Sequence, residues 1–221
     1  SLVLGGAVLW LLAGLSIGII SALRPRSLLD RTGMVFVLVG ISAHPVWIGL
    51  LFAYFFGFKL GIFPITGYAN FFGHTGSQAG PVQWAYHMIL PWATFAILFA
   101  ALYVRMIRAN VMEALNEDYV RTARAKGASE RLVTYRHALR NALIPVVSVV
   151  GFQVGTLMGG SVIIEVIFSL NGIGNTLVQA IFNRDYPLVQ AAALFLAVVF
   201  VVVNTSVDLL YGYLDPRIKQ A

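Results

Sequence analysis

The 221-residue chain contains no cysteine, which rules out a disulfide framework and any thiolate metal site. Charge is also scarce. Asp, Glu, Lys and Arg make up 11% of the residues, against about 25% in soluble domains. No Gly-x-x-x-x-Gly-Lys-Ser/Thr phosphate loop occurs, so ATP is not bound in that way. His74 and His87 stand 13 residues apart without a carboxylate or thiol framework around them, and no metal site is expected there. Nothing reads as a catalytic residue or a cofactor site. A pI near 9.8 raises the question of nucleic acid. The basic residues fall in the gaps between apolar runs, which argues against it.

What the chain has in abundance is apolar sequence: 59% of residues are hydrophobic, and the mean hydropathy is +0.82. A bilayer core needs about 20 apolar residues to cross. Five segments qualify: Ser1–Leu23, Gly33–Phe56, Ala85–Ile107, Pro145–Phe168 and Pro187–Leu214. The reading is an all-α polytopic membrane protein with one domain over 1–214 and a short tail at 215–221. The first span begins without an initiator Met or a basic leader, so the expectation is the later part of a longer protein rather than a signal peptide.

Loop charge orients the spans. Thirteen Lys/Arg follow the first, third and fifth spans, and only Lys59 and Arg184 lie in the loops on the other side. The positive-inside rule then places Ser1 outside and Ala221 in the cytoplasm.

One segment breaks the apolar pattern. DYVRTARAKGASERLVTYRHALRNALIPVV, residues 118–147, carries six Lys/Arg against two acids and faces the cytoplasm in this topology. It belongs to a loop of about 109–144. Helix formers run from Tyr119 to Lys126, and Gly127 is placed to end that helix. Ser129 caps a second helix, with Glu130 at its positive end. That helix runs toward Asn141, and Pro145 suits the start of the next span. Small residues at Thr122, Ala123, Ala125 and Ala128 would let this backbone press into a partner's groove. The other reading is a pair of basic helices lying on anionic lipid.

The spans hold few polar groups. Gly151, Gly155 and Gly159 repeat every four residues in the fourth, which suits close helix packing or a backbone-lined pathway. Glu165 and Asp208 are acids within spans, and such groups invite a functional hypothesis. Glu165 stands as a pathway or gating candidate, near the outer end of its span. Asp208 follows Asn204 by four residues, where the two would pair structurally. His44–Pro45 interrupts the second span and Pro91 the third. His44 reads as a hydrogen-bonded packing residue.

YVRTARAKG at Tyr119–Gly127 and HALRNALIP at His137–Pro145 resemble the cytoplasmic EAA loop of ABC-transporter permeases. The branch they resemble is the dipeptide/oligopeptide one, which includes nickel permeases. In place of the name-giving Glu-Ala-Ala stand Arg121, Thr122 and Ala123. The likeness continues in GIFPITGY at 61–68, HMILP at 87–91, EVIFSLNGIGNTLVQAIFNRDYPLVQ at 165–190 and VNTSVDLLYGYLDPRIK at 203–219. Asn171 stands where that family often has proline. The resemblance implies a type I ABC importer transmembrane domain with a sixth helix before Ser1, in a prokaryotic cytoplasmic membrane. It also implies a second permease subunit, two cytoplasmic ATPases that hold the ATP and Mg, and an extracytoplasmic substrate-binding protein. Tyr119, Arg121, Thr122, Ala123, Arg124, Ala125, Lys126 and Gly127 would form the coupling loop. Peptides are the implied cargo, with nickel or another small solute as the alternative. A channel or ion-coupled transporter would need no docking helices, and a non-transporting scaffold would leave uptake intact on deletion.

Overall fold

The computed structural model describes residues 1–72 and 80–214, and all its regular elements there are helical. The chain divides into two compact units, Ser1–Ala7, Ala43–Phe95 and Gly151–Ala221 in one, Val8–Ser42 and Ala96–Val150 in the other.

Helix α1 covers Leu2–Leu23 and α2 covers Leu28–Ser42. Helix α3, Pro45–Phe52, continues into a π-helical turn at Ala53–Lys59. Helix α4 is the longest, Pro81–Asn116. The insert follows as α5 (Asp118–Ala125), α6 (Glu130–Leu132), a π-helical segment (Val133–Leu139) and α7 (Arg140–Ala142). Then come α8 (Ile144–Ile167), α9 (Ile173–Phe182) and α10 (Tyr186–Leu214).

Among the described residues three helices are long and apolar enough to cross a membrane: α1, α4 and the Tyr186–Ser206 part of α10. The expected span Gly33–Phe56 is not one helix. It divides into α2 and the 45–59 helix, which make a fourth crossing only if counted together. The 15 residues of α2 reach about 22 Å, short of a hydrocarbon core of about 30 Å. The cause is Pro45, which has no N–H to donate and whose ring clashes with a preceding helical turn. His44 sits in extended conformation before it, and its Nδ1 accepts from Val46 N at 3.3 Å. Its packing role is thus a helix cap. Pro91, by contrast, leaves α4 unbroken.

In the unit that carries the insert, α1 and α2 press onto α4 at glycines. A Cβ on Gly18 would stand 2.9 Å from Ile107 and 3.1 Å from the Val104 carbonyl, and one on Gly40 2.6 Å from Ala101. Trp10, fully buried, tilts against Tyr103 with ring centroids 4.1 Å apart. At the charged end of these helices, Asp30 is buried and meets Arg108 through two hydrogen bonds, 2.7 and 2.9 Å.

In the other unit, Trp84 lies edge-on to both Phe71 and Trp92, and the Tyr86 hydroxyl donates to the Ile62 carbonyl. Helix α10 leaves Leu194, Phe195, Val198, Val201, Val202 and Leu209 exposed, an apolar surface suited to lipid or another subunit.

Candidate functional site

The insert folds from local signals. Helix α5 ends in a paired closure: Gly127 N–H donates to the Arg124 carbonyl at 2.9 Å, and Ala128 N–H to the Ala123 carbonyl at 3.2 Å. This is the Schellman pattern, which needs a left-handed residue after the cap. Gly127 supplies it with φ +81°. Two residues on, the Ser129 hydroxyl accepts from Leu132 N at 3.4 Å and starts the second arm. That arm runs through 130–142, and Pro145 falls in the first turn of α8.

The two arms meet on one side only. Helix α5 packs on the Val133–Leu139 segment. Val120 is fully buried, as are Val133 and Ala138. Around the rest of α5 and at its end, Arg121, Thr122, Arg124, Ala125, Lys126 and Gly127 are exposed, while Ala123 is half-buried. Tyr119 is 38% exposed, at the edge. Arg124 spans the elbow to Glu130, with Nε to Oε1 at 2.9 Å and the second prong at 3.3 Å. Sequence spacing missed this pair, because six residues across a turn match no helical period. Arg121 and Asp118 stand 3.7 Å apart and both are well exposed, so their pairing contributes little. Beside the base of the insert lies a recess of about 310 Å³ bordered by Asn110, Glu113, Glu117, Tyr119, Asn141 and Pro145.

Glu165 has a different setting from a free pathway carboxylate. Its Oε2 accepts from Gly174 N at 2.9 Å and Asn175 N at 3.2 Å, and Oε1 from the Ser161 hydroxyl at 3.3 Å. It therefore caps the first turn of α9 and ties it to α8. A Cβ on Gly172 would collide with this carboxylate, so the tie requires glycine there. Glu165 also borders a cavity of about 510 Å³ with Ser161, Tyr68, Met88, Asn171 and Leu196. Glu165→Ala is expected to loosen the α9 start by about 1–3 kcal/mol, the cost of leaving these donors unmatched. Glu165→Gln, which keeps one acceptor oxygen, should cost less. Faster hydrogen exchange at the Gly174 and Asn175 amides reads out the difference.

Gly151, Gly155 and Gly159 lie on α8, but what surrounds them falls outside the described residues, as do the Asp208 side chain, His74 and the 215–221 tail. His87 Nδ1 is 2.9 Å from the Gln83 carbonyl one turn back. Among the described residues no group of three His, Cys, Asp or Glu is placed to hold a metal.

Residues 14–220 match the family described as binding-protein-dependent transport system inner membrane component. The chain is 40% identical over 223 residues to a dipeptide transport system permease protein of Alkalihalophilus pseudofirmus, covering 95% of this chain and 67% of that protein. A di/tripeptide transport system permease protein of Pseudomonas aeruginosa is 43% identical over 220 residues, covering 93% and 66%. A glutathione transport system permease protein of Pectobacterium atrosepticum is 39% identical over 206 residues, covering 93% and 63%. The chain thus spans about two thirds of the length of these relatives. A solved structure of an amino acid ABC transporter with histidines superimposes with a TM-score of 0.70 at 15% identity, over 95% of this chain and 87% of that one. That likeness establishes the fold.

Proposed function

The chain belongs to the family of binding-protein-dependent transport system inner membrane components, and from this premise we propose that it forms most of the permease subunit of an ATP-driven peptide importer. The observation that carries the reading is the insert: two helices closed around Gly127, with an exposed face that finds no cover in its own unit. That face suits a groove on a cytoplasmic ATPase. Tyr119, Arg121, Thr122, Ala123, Arg124, Ala125, Lys126 and Gly127 form the contact, and the ATP and Mg belong to two such ATPase subunits. A second permease subunit completes the pathway, and an extracytoplasmic binding protein delivers the cargo. Gly151, Gly155 and Gly159 of α8 are the candidate residues of that pathway, and Glu165 acts on it through the start of α9.

Peptides are favoured as cargo over nickel, because the relatives named above carry dipeptides, di/tripeptides and glutathione. Uptake by the complete complex, measured with labelled di-, tri- and longer peptides and with nickel, tests this. ATP-dependent peptide uptake is expected. Uptake of nickel alone would replace the cargo, and uptake that needs no ATPase subunit would sink the reading.

The insert is cytoplasmic in this reading, and the α9–α10 connection is outside. A cysteine in place of Asn183, exposed at the end of α9, should react with an impermeant reagent added outside, while one at Ser129 stays unlabelled. The reverse pattern would place the docking face on the wrong side of the membrane.

A further inference from the structure

We propose that the Asp30–Arg108 pair fastens the α1–α2 turn to α4, so that α1, α2 and the insert-bearing end of α4 move as one body when ATP is used. The proposal rests on the importer reading above.

Asp30 is 4% exposed, and its two oxygens have three donors: Arg26 N at 2.8 Å, Arg108 Nε at 2.7 Å and Arg108 Nη2 at 2.9 Å. A charge withdrawn from water this far is tolerated when paired and hydrogen-bonded. The turn that presents it is itself held in place. Arg26 adopts φ +63°, unusual for a residue with a side chain, and Asp30 N donates to the Ser27 hydroxyl at 3.2 Å.

Arg108 stands where α4 passes from its apolar stretch toward the insert, and the helix runs unbroken from it to Asn116. Two residues on, Asn110 Nδ2 reaches the Ala142 carbonyl at 3.5 Å, at the end of the insert's return arm. One helical turn of α4 therefore grips the α1–α2 turn on one side and the foot of the insert on the other. Gly18 and Gly40 bring α1 and α2 into close contact with α4 above that grip. A push on the insert is then delivered to α1 and α2 together with α4, not absorbed by bending.

The planar guanidinium matters here, because only a fork engages both carboxylate oxygens at once. The test uses the full-length permease in its complex with ATPase subunits, reconstituted in membranes. Spin labels on cysteines at Arg31 and Ala109, both exposed, report the spacing across the clamp in nucleotide-free and ATP-trapped states. In the parent the spacing stays the same in both states. The neutral pair Asp30→Asn/Arg108→Gln, which leaves no buried charge unpaired, should broaden the spacing. Peptide carried per ATP should fall about five- to tenfold, with ATPase co-purification and basal hydrolysis retained. Should that variant fail to reach the membrane, Arg108→Lys keeps the charge and loses the fork, and an intermediate ratio is expected. A parent spacing that changes between states overturns the proposal. So does a neutral pair, or failing that an Arg108→Lys variant, that carries as much peptide per ATP as the parent. Parent complex that hydrolyses ATP without carrying peptide would sink the importer reading, while the spacing measurement still decides whether the body is rigid.

Discussion

Gly127→Val is expected to leave the permease in the membrane and to cut ATP-driven uptake to below about a tenth. The elbow closes only if residue 127 holds φ near +81°. A β-branched residue there costs about 2 kcal/mol in backbone strain, or roughly thirtyfold in the population of the closed elbow. Bulk within the chain is not the obstacle, because a Cβ on Gly127 meets nothing within 4 Å. Gly127→Asn separates the two demands on this position. Asparagine tolerates left-handed φ, so partial recovery would assign the defect to the turn. Failure as complete as that of valine would show that the partner's groove excludes any side chain. ATPase co-purification and peptide-stimulated hydrolysis measure both variants. Arg124→Glu is the comparison for a lipid-bound insert, since it reverses charge and replaces the link to Glu130 with two like charges while leaving the left-handed glycine at 127 in place. Intact coupling in Gly127→Val, with Arg124→Glu released from anionic lipid, would favour the membrane-surface reading.

Val120→Asp should have an effect as large, by a different route. Val120 is the fully buried side chain of α5, on the face toward the return arm. A carboxylate there would have to be stripped of water, at a cost of several kcal/mol. Helix α5 would leave its platform, and its docking face would lose its fixed position. Uptake should fall by more than about tenfold, while the spans, stabilised by lipid and by one another, remain inserted. Faster proteolytic cleavage in the insert, in vesicles with the cytoplasmic face out, reports the undocking directly. Val120→Ala removes only part of the buried surface, about 1–2 kcal/mol, and should give a partial defect. Normal protease resistance in Val120→Asp would mean that the arms do not depend on this contact.

The insert was legible because its instructions are local. Ser129, Gly127 and Pro145 each act within a few residues, and the structure has a cap, a left-handed elbow and a helix start at those positions. Even so, the π-helical stretch Val133–Leu139 has no counterpart in residue spacing. The second span shows the limit of hydropathy, which sums apolarity over a window and ignores which residue lacks an N–H. Pro45 marks the break, but the early start of α2 at Leu28 depends on the Ser27 hydroxyl and the Asp30 pair. Glu165 stands out as an acid in a span, and Ser161 four residues back lies at helical spacing, yet the amides it caps are nine and ten residues on. The glycines of NGIG were the available hint, since they let a backbone approach a carboxylate. Asp30 drew no notice, because Arg108 is 78 residues away and no periodic pattern connects them.

The most direct measurement places a photo-crosslinking amino acid at Arg121, on the exposed face of α5, in the complete complex in membranes. Irradiation should join the permease to an ATPase subunit, and the yield should change when ATP is trapped. A complex that retains its ATPases but crosslinks at Arg121 only to lipid would contradict the docking role of the insert.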